Sequence, residues 1–160
     1  MSLSYTSSTG DLPAGFARVS DLPNATIVSG TGSPTLTLAQ AGSLITLDAA
    51  STTVTLPTPV VGATFYFAVT TTASAQKILS PAGVFLNGAL ILVAAGAAGA
   101  NSSAVGTFDG TGNRSFTMNG TTAGGIKGSY FTITAISSTV YVVSGQLIGS
   151  GSLSLTIANS

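Results

Sequence analysis

The chain reads as an all-β domain, a sandwich or barrel of about ten short strands. Three observations carry that reading. Apolar residues recur at every second position, as in Leu36 and Leu38, Val54 and Leu56, and Phe65, Phe67 and Val69. Strand side chains alternate between faces, so each run offers one apolar face and one hydroxyl-rich face. Glycine, proline and Asx-Gly pairs interrupt these runs wherever a turn is required. No longer segment shows a helical stripe, while threonine, valine and isoleucine, which favour strands, are abundant throughout.

Taken in order, residues 1–33 read as an extended N-terminal arm and linker, and residues 34–160 as the β-sandwich domain. The arm carries Asp11-Leu12-Pro13 and, ten residues on, Asp21-Leu22-Pro23, with Phe16 and Arg18 between them. Proline locks its own φ and holds the preceding residue extended. Leu12, Pro13, Leu22 and Pro23 are therefore candidate anchors on a partner surface. Phe16 would supply a buried apolar contact, and Arg18 a charge-assisted bond to an acidic group. Two other readings stand beside this one: a disordered terminus, or a strand completing a neighbouring sandwich.

The domain opens with strand-like runs at Thr35–Leu38, Ser43–Asp48, Thr52–Pro57 and Thr64–Val69, with turns at Gly42, Pro57-Thr58-Pro59 and Gly62. Gln76–Leu79 and Val84–Leu86 follow as short strands. Asn87-Gly88 predicts a tight hairpin between Phe85-Leu86 and Ala89-Leu90, because both central residues of that turn need positive φ. Asp109-Gly110 and Asn119-Gly120 repeat the device. Leu90–Val93 reads as a buried strand. Tyr130–Ile136, a turn at Ser137-Ser138, Val140–Val143 and Leu153–Ile157 complete the set, with Phe65, Phe67, Phe131 and Ile133 in the core.

Charge excludes more than it suggests. Charged residues make up 5% of the chain, and they are Asp11, Arg18, Asp21, Asp48, Lys77, Asp109, Arg114 and Lys127. Histidine, cysteine and glutamate are absent. The usual general bases, activated nucleophiles and thiolate ligands are therefore missing, which argues against an enzyme and against a bound metal or organic cofactor. Asp48 ends a strand, where capping of nearby backbone N–H groups is its ordinary use. Lys77 reads as a solvated charge on a sheet edge. Gly110-Thr111-Gly112-Asn113-Arg114 begins like a phosphate-binding loop but lacks the third glycine and the helix, so it reads as a β-turn. No basic patch grips phosphates, so nucleic acid is not an expected partner. The longest apolar run, Ala89 to Ala100, is interrupted by Gly96 and Gly99 and falls short of the roughly 20 residues a membrane span needs. The first residues lack the pattern of a signal peptide, so folding in the cytoplasm where the chain is made is expected. A hydroxyl-rich surface with so little charge suits a protein covered by partners.

Several of these segments resemble a group of small virion proteins of tailed bacteriophages. The resemblance lies in Thr35-Leu36-Thr37-Leu38-Ala39-Gln40-Ala41-Gly42, in Leu47-Asp48 and Val54-Thr55-Leu56-Pro57, and in Gly62 through Phe65-Tyr66-Phe67. It returns at Val140-Tyr141-Val142-Val143-Ser144-Gly145, where many relatives carry a tryptophan in place of Val140 or Tyr141. The group includes capsid decoration (cement) proteins and domains of phage fibres. The resemblance implies a jelly-roll-like β-sandwich that assembles as a homotrimer. It implies a structural role on the outer surface of the virion, with the major capsid protein as partner, and the knob of a host-binding fibre as the alternative.

Overall fold

The computed structural model describes residues 28–29, 32–95 and 103–159. Among these residues it is all-β, without an α-helix. A seven-stranded sheet is ordered β1 (Val28–Ser29), β2 (Leu44–Leu47), β4 (Thr64–Val69), β9 (Tyr130–Ala135), β10 (Val140–Gly149), β6 (Phe85–Ala94) and β7 (Ser103–Asp109). A four-stranded sheet is ordered β11 (Thr156–Ala158), β8 (Ser115–Met118), β5 (Ala75–Leu79) and β3 (Ser51–Thr55). Neither sheet closes into a barrel, and the arrangement is sandwich-like.

Both sheets are mixed. β1 with β2, β2 with β4, β3 with β5, and β6 with β10 pair in parallel. Parallel neighbours need a crossover of a dozen or more residues, and here the crossover is usually a strand of the other sheet. The chain runs from β2 to β3 to β4 to β5, alternating sheets at each step, so like-directed strands end up side by side. This parallel content departs from the antiparallel double Greek key of a jelly roll.

The inner faces meet in one apolar core. Phe67 and Phe131, on the neighbouring strands β4 and β9, stack with ring centroids 4.8 Å apart and planes 10° apart. Phe116 reaches up from β8 of the other sheet and meets Phe131 edge-on at 5.3 Å, and Phe108 of β7 at 5.5 Å. Phe65, Phe67, Phe131 and Ile133 are all buried, as the alternation predicts. Gly145 of β10 stands opposite Phe131 in the ladder with φ of 150°, and a Cβ there would strike the Phe131 backbone. Only glycine fits beside that ring.

Two buried polar side chains tie the layers together. Gln76, on β5, donates through Nε2 to the carbonyls of Ala49 at 2.7 Å and Thr71 at 2.9 Å, and more weakly to Leu47 at 3.4 Å. Tyr141, on β10, donates its hydroxyl to the Pro57 carbonyl at 3.0 Å. Burial pushes its phenol up to about 12.

Several local expectations are corrected. Asn87-Gly88 is not a hairpin but lies inside β6, which runs unbroken for ten residues. Gly88 keeps the expected positive φ, 102°, yet for a different reason: β10 passes so close that a Cβ would strike the Val143 carbonyl. Positive φ in a strand interior marks close backbone approach as readily as a turn. Asp109-Gly110 and Asn119-Gly120 do turn the chain, but they carry it between sheets and do not close hairpins. Ser137-Ser138 does join antiparallel neighbours, β9 and β10. Thr35–Leu38 contributes only a bridge between Thr35 and Thr55. Leu36 is buried, but Leu38 starts a 3-10 turn, Leu38–Gln40, and is exposed. The Gln40 side chain draws the backbone round by accepting from the Thr37 N–H at 2.7 Å. Lys77 lies on β5 between β3 and β8, so it guards no edge. Leu90 and Leu92 are buried, whereas Ile91 between them is not.

Val28–Ser29, within the span read as arm and linker, already pairs with β2. Ser33 adds a side-chain bond, its Oγ accepting from the Thr53 N–H at 3.2 Å.

Two outcomes test this account of the core. Phe116→Ala removes the ring that spans both sheets, and should lower unfolding free energy in urea by about 3–5 kcal/mol. Because the folded-state pKa of Tyr141 lies above that of an exposed tyrosine, its stabilising contribution is complete below about pH 10 and is lost as pH rises to about 12. Urea midpoints measured across that window should fall less steeply for Tyr141→Phe than for the parent chain.

Candidate interaction face

Strand pairing places one set of side chains in rows across the outer face of the seven-stranded sheet. One row runs Leu44, Tyr66, Thr132, Ser144, Ala89 and Thr107. The next runs Thr46, Ala68, Tyr130, Gln146, Ile91 and Val105. Neighbouring strands are about 4.8 Å apart, so members of a row touch or nearly do. Tyr66 is 45% exposed, Tyr130 58%, Ile91 52% and Val105 61%. Scattered apolar residues on a surface mean little, but contiguous ones mark contact sites.

Some of the hydroxyls on this face are paired within it. Thr132 and Ser144 share a hydroxyl–hydroxyl bond of 3.1 Å, and Thr64 and Thr134 share one of 3.0 Å. Such paired hydroxyls lose less on leaving water than free ones would. The one charge on the strands of this face is Asp109, beyond the first row at the β7 edge, opposite Asn87. Its carboxyl is held below the ordinary carboxylate range by the Thr111 N–H first and the Gly112 N–H second.

The outer face of the four-stranded sheet differs. Its central row is Thr53, Lys77, Thr117 and Thr156, three hydroxyls around an ammonium. A lysine in the middle of a sheet face makes that face expensive to dehydrate.

The Gly110–Arg114 segment is a structural turn. Asp109 Oδ1 accepts from the N–H groups of Thr111 at 2.9 Å and Gly112 at 3.2 Å, and from Asn113 Nδ2 at 3.0 Å. Arg114 spends its guanidinium on backbone carbonyls: Nε to Pro81 at 3.2 Å and a terminal nitrogen to Ser80 at 3.1 Å. Its own N–H bonds the Ala158 carbonyl, which fixes β11 to the sheet. Among the described residues no three histidine, cysteine, aspartate or glutamate side chains group to hold a metal. Among them also, no helix is long and apolar enough to cross a membrane.

Leu12, Pro13, Phe16, Arg18, Leu22 and Pro23 lie outside the described residues. The face was not foreseen, although a signal for it exists. Tyr66 between Phe65 and Phe67, Tyr130 before Phe131, and Ile91 between Leu90 and Leu92 are large side chains at positions that alternation reserves for polar ones. Strands covered on both sides lose their alternation in this way. No family model, curated protein or solved structure matches the chain.

If Arg114 acts as a clamp, Arg114→Ala should cost about 1–3 kcal/mol of stability through its lost charge-assisted bonds. Limited proteolysis should then cut first at the Ser80–Pro81 loop, whose carbonyls the guanidinium holds.

Proposed function

We propose that the protein is a structural component of a bacteriophage virion, a decoration protein that sits as a homotrimer on the outer surface of an assembled shell and stabilises it against expansion or rupture. The observation that carries this reading is the broad, nearly uncharged outer face of the seven-stranded sheet, in a chain with 5% charged residues. A surface so weakly hydrated is suited to being covered. The resemblance of Thr35–Gly42, Val54–Pro57, Gly62–Phe67 and Val140–Gly145 to phage decoration and fibre proteins supports the same assignment. In this reading three such sandwiches bridge neighbouring capsomers. The major capsid protein is the partner, the chain folds in the host cytoplasm, and no catalysis, cofactor, nucleic acid or membrane is involved. The arm, through Leu12-Pro13, Phe16, Arg18 and Leu22-Pro23, grips the shell.

A second reading has one observation in its favour. Tyr66 and Tyr130, diagonal neighbours on β4 and β9, present exposed rings of the kind that stack on sugars. That would make the protein the knob of a fibre or spike binding a host-surface glycan.

Co-sedimentation separates the two: a decoration protein pellets with undecorated shells and stays in solution with host cells, and a knob does the reverse. A chain beginning at Asn24 keeps β1 and drops both Leu-Pro anchors. It should remain folded, with an unchanged melting temperature, and lose shell binding. Phe16→Ala should weaken binding by about tenfold, as expected for one buried aromatic contact. Normal decoration by the shortened chain would remove the arm from the account.

A further inference from the structure

We infer that the outer face of the seven-stranded sheet is where copies of this chain meet one another, and that Tyr130 and Ile91, on strands inside the sheet, lie within that contact with Val105 toward its β7 edge. This rests on the trimeric reading above and deepens it by naming the surface.

Four features of the face select a second copy as its occupant. The first is extent. Six strands from β2 to β7 give roughly 30 by 25 Å including side chains, enough for each copy to contribute about half of the ~800 Å² per partner of a standard interface to each of two neighbours in a trimer. The second is charge. Asp109 stands at the margin, so copies can lay the rest of the face against one another without bringing like charges together. A shell or any partner recognised through charge would find nothing here to pair with. The third is polar satisfaction. Thr132 with Ser144 and Thr64 with Thr134 already exchange hydrogen bonds within the face, which lowers the cost of covering them, while Gln146 and Thr107 keep side-chain groups that a like surface can pair. The fourth is contrast: the opposite face of the sandwich centres on Lys77 and resists burial. An identical surface supplies apolar side chains matched in kind, with Tyr66 and Tyr130 offering aromatic area and hydroxyls that can pair across the contact. Turned toward a common axis, three such faces enclose each other and leave the Lys77 faces and the arms outside, free for water and shell.

The test uses the full-length chain. Light scattering should give the parent three times the 15.6 kDa subunit mass. Ile91→Lys places an unpaired ammonium at the centre of the contact, and should raise the concentration for half-assembly by about a hundredfold or more. Val61→Lys, a change at an exposed loop residue off the face, should leave assembly unchanged. Circular dichroism should show the same strand content in all three. If Ile91→Lys assembles like the parent, this face is not the contact and the inference fails, while the trimeric reading survives. If the parent is monomeric at 100-fold dilution and at the highest attainable concentration alike, both fail.

A second measurement covers the case of a misfolded variant. The chain has no cysteine, so Tyr130→Cys provides a unique thiol for a benzophenone label. Photolysis should join it to β6, β7 or β9 of another copy. Attachment to residues 1–27 would make the arm the occupant and overturn the inference. So would loss of binding to host glycans on labelling, with the assembled mass unchanged, since the face would then be a sugar site.

Discussion

The contact of Phe116 with Phe131 is the point on which the rest of the structure depends. It is the place where the four-stranded sheet reaches into the seven-stranded one, and it continues into the stacked pair of Phe67 and Phe131. A chain that alternates between sheets at nearly every turn needs the two layers held at a fixed separation and register. Otherwise each crossover would be a hinge. Gly145 leaves the room beside Phe131, and Gln76 and Tyr141 add polar ties from each sheet to loops of the chain. Aromatic edge contacts are directional as well as apolar, so this core specifies one alignment of the sheets and not merely their association.

That alignment explains the parallel pairs. In most small β-proteins the turn decides the neighbour, because a hairpin pairs consecutive strands. Here β3 lies between β2 and β4 in sequence but in the opposite layer, so β2 and β4 become parallel partners by way of the core. The same logic joins β3 to β5. The ten-residue ladder between β6 and β10 then closes the middle of the larger sheet. At two turns the local chemistry is subordinate: Asp109 and Asn119 cap their loops with side-chain bonds, yet the strands they connect do not pair, whereas Ser137-Ser138 does join neighbours.

The division of labour between the two outer faces follows from the same architecture. The larger sheet exposes aromatic and aliphatic side chains among paired hydroxyls, and the smaller one exposes threonines around Lys77. A protein with so few charges has little means of keeping two weakly hydrated faces apart from its neighbours. The proposed assembly resolves this by covering one face and leaving the other in water. Specificity then comes from shape and from the placement of a few charges at margins, where a mismatch is penalised most.

Period-two alternation was legible in the sequence and determined the elements themselves. Val54, Phe65, Phe67, Phe131 and Ile133 face inward because a strand offers no other arrangement. The absence of histidine, cysteine and glutamate was equally legible there, and it keeps imidazole, thiolate and glutamate carboxylate out of any site the fold can build. Which strands become neighbours was decided only in three dimensions, since pairing depends on inter-layer packing among residues far apart in the chain. Asn87-Gly88 shows why: the dipeptide reports that glycine is needed, and whether a turn or a backbone passing too close for a Cβ creates that need depends on β10, far along the chain. The interaction face belongs to the same class. Tyr66, Tyr130, Ile91 and Val105 come from four strands, and only the register of the folded sheet makes them one surface.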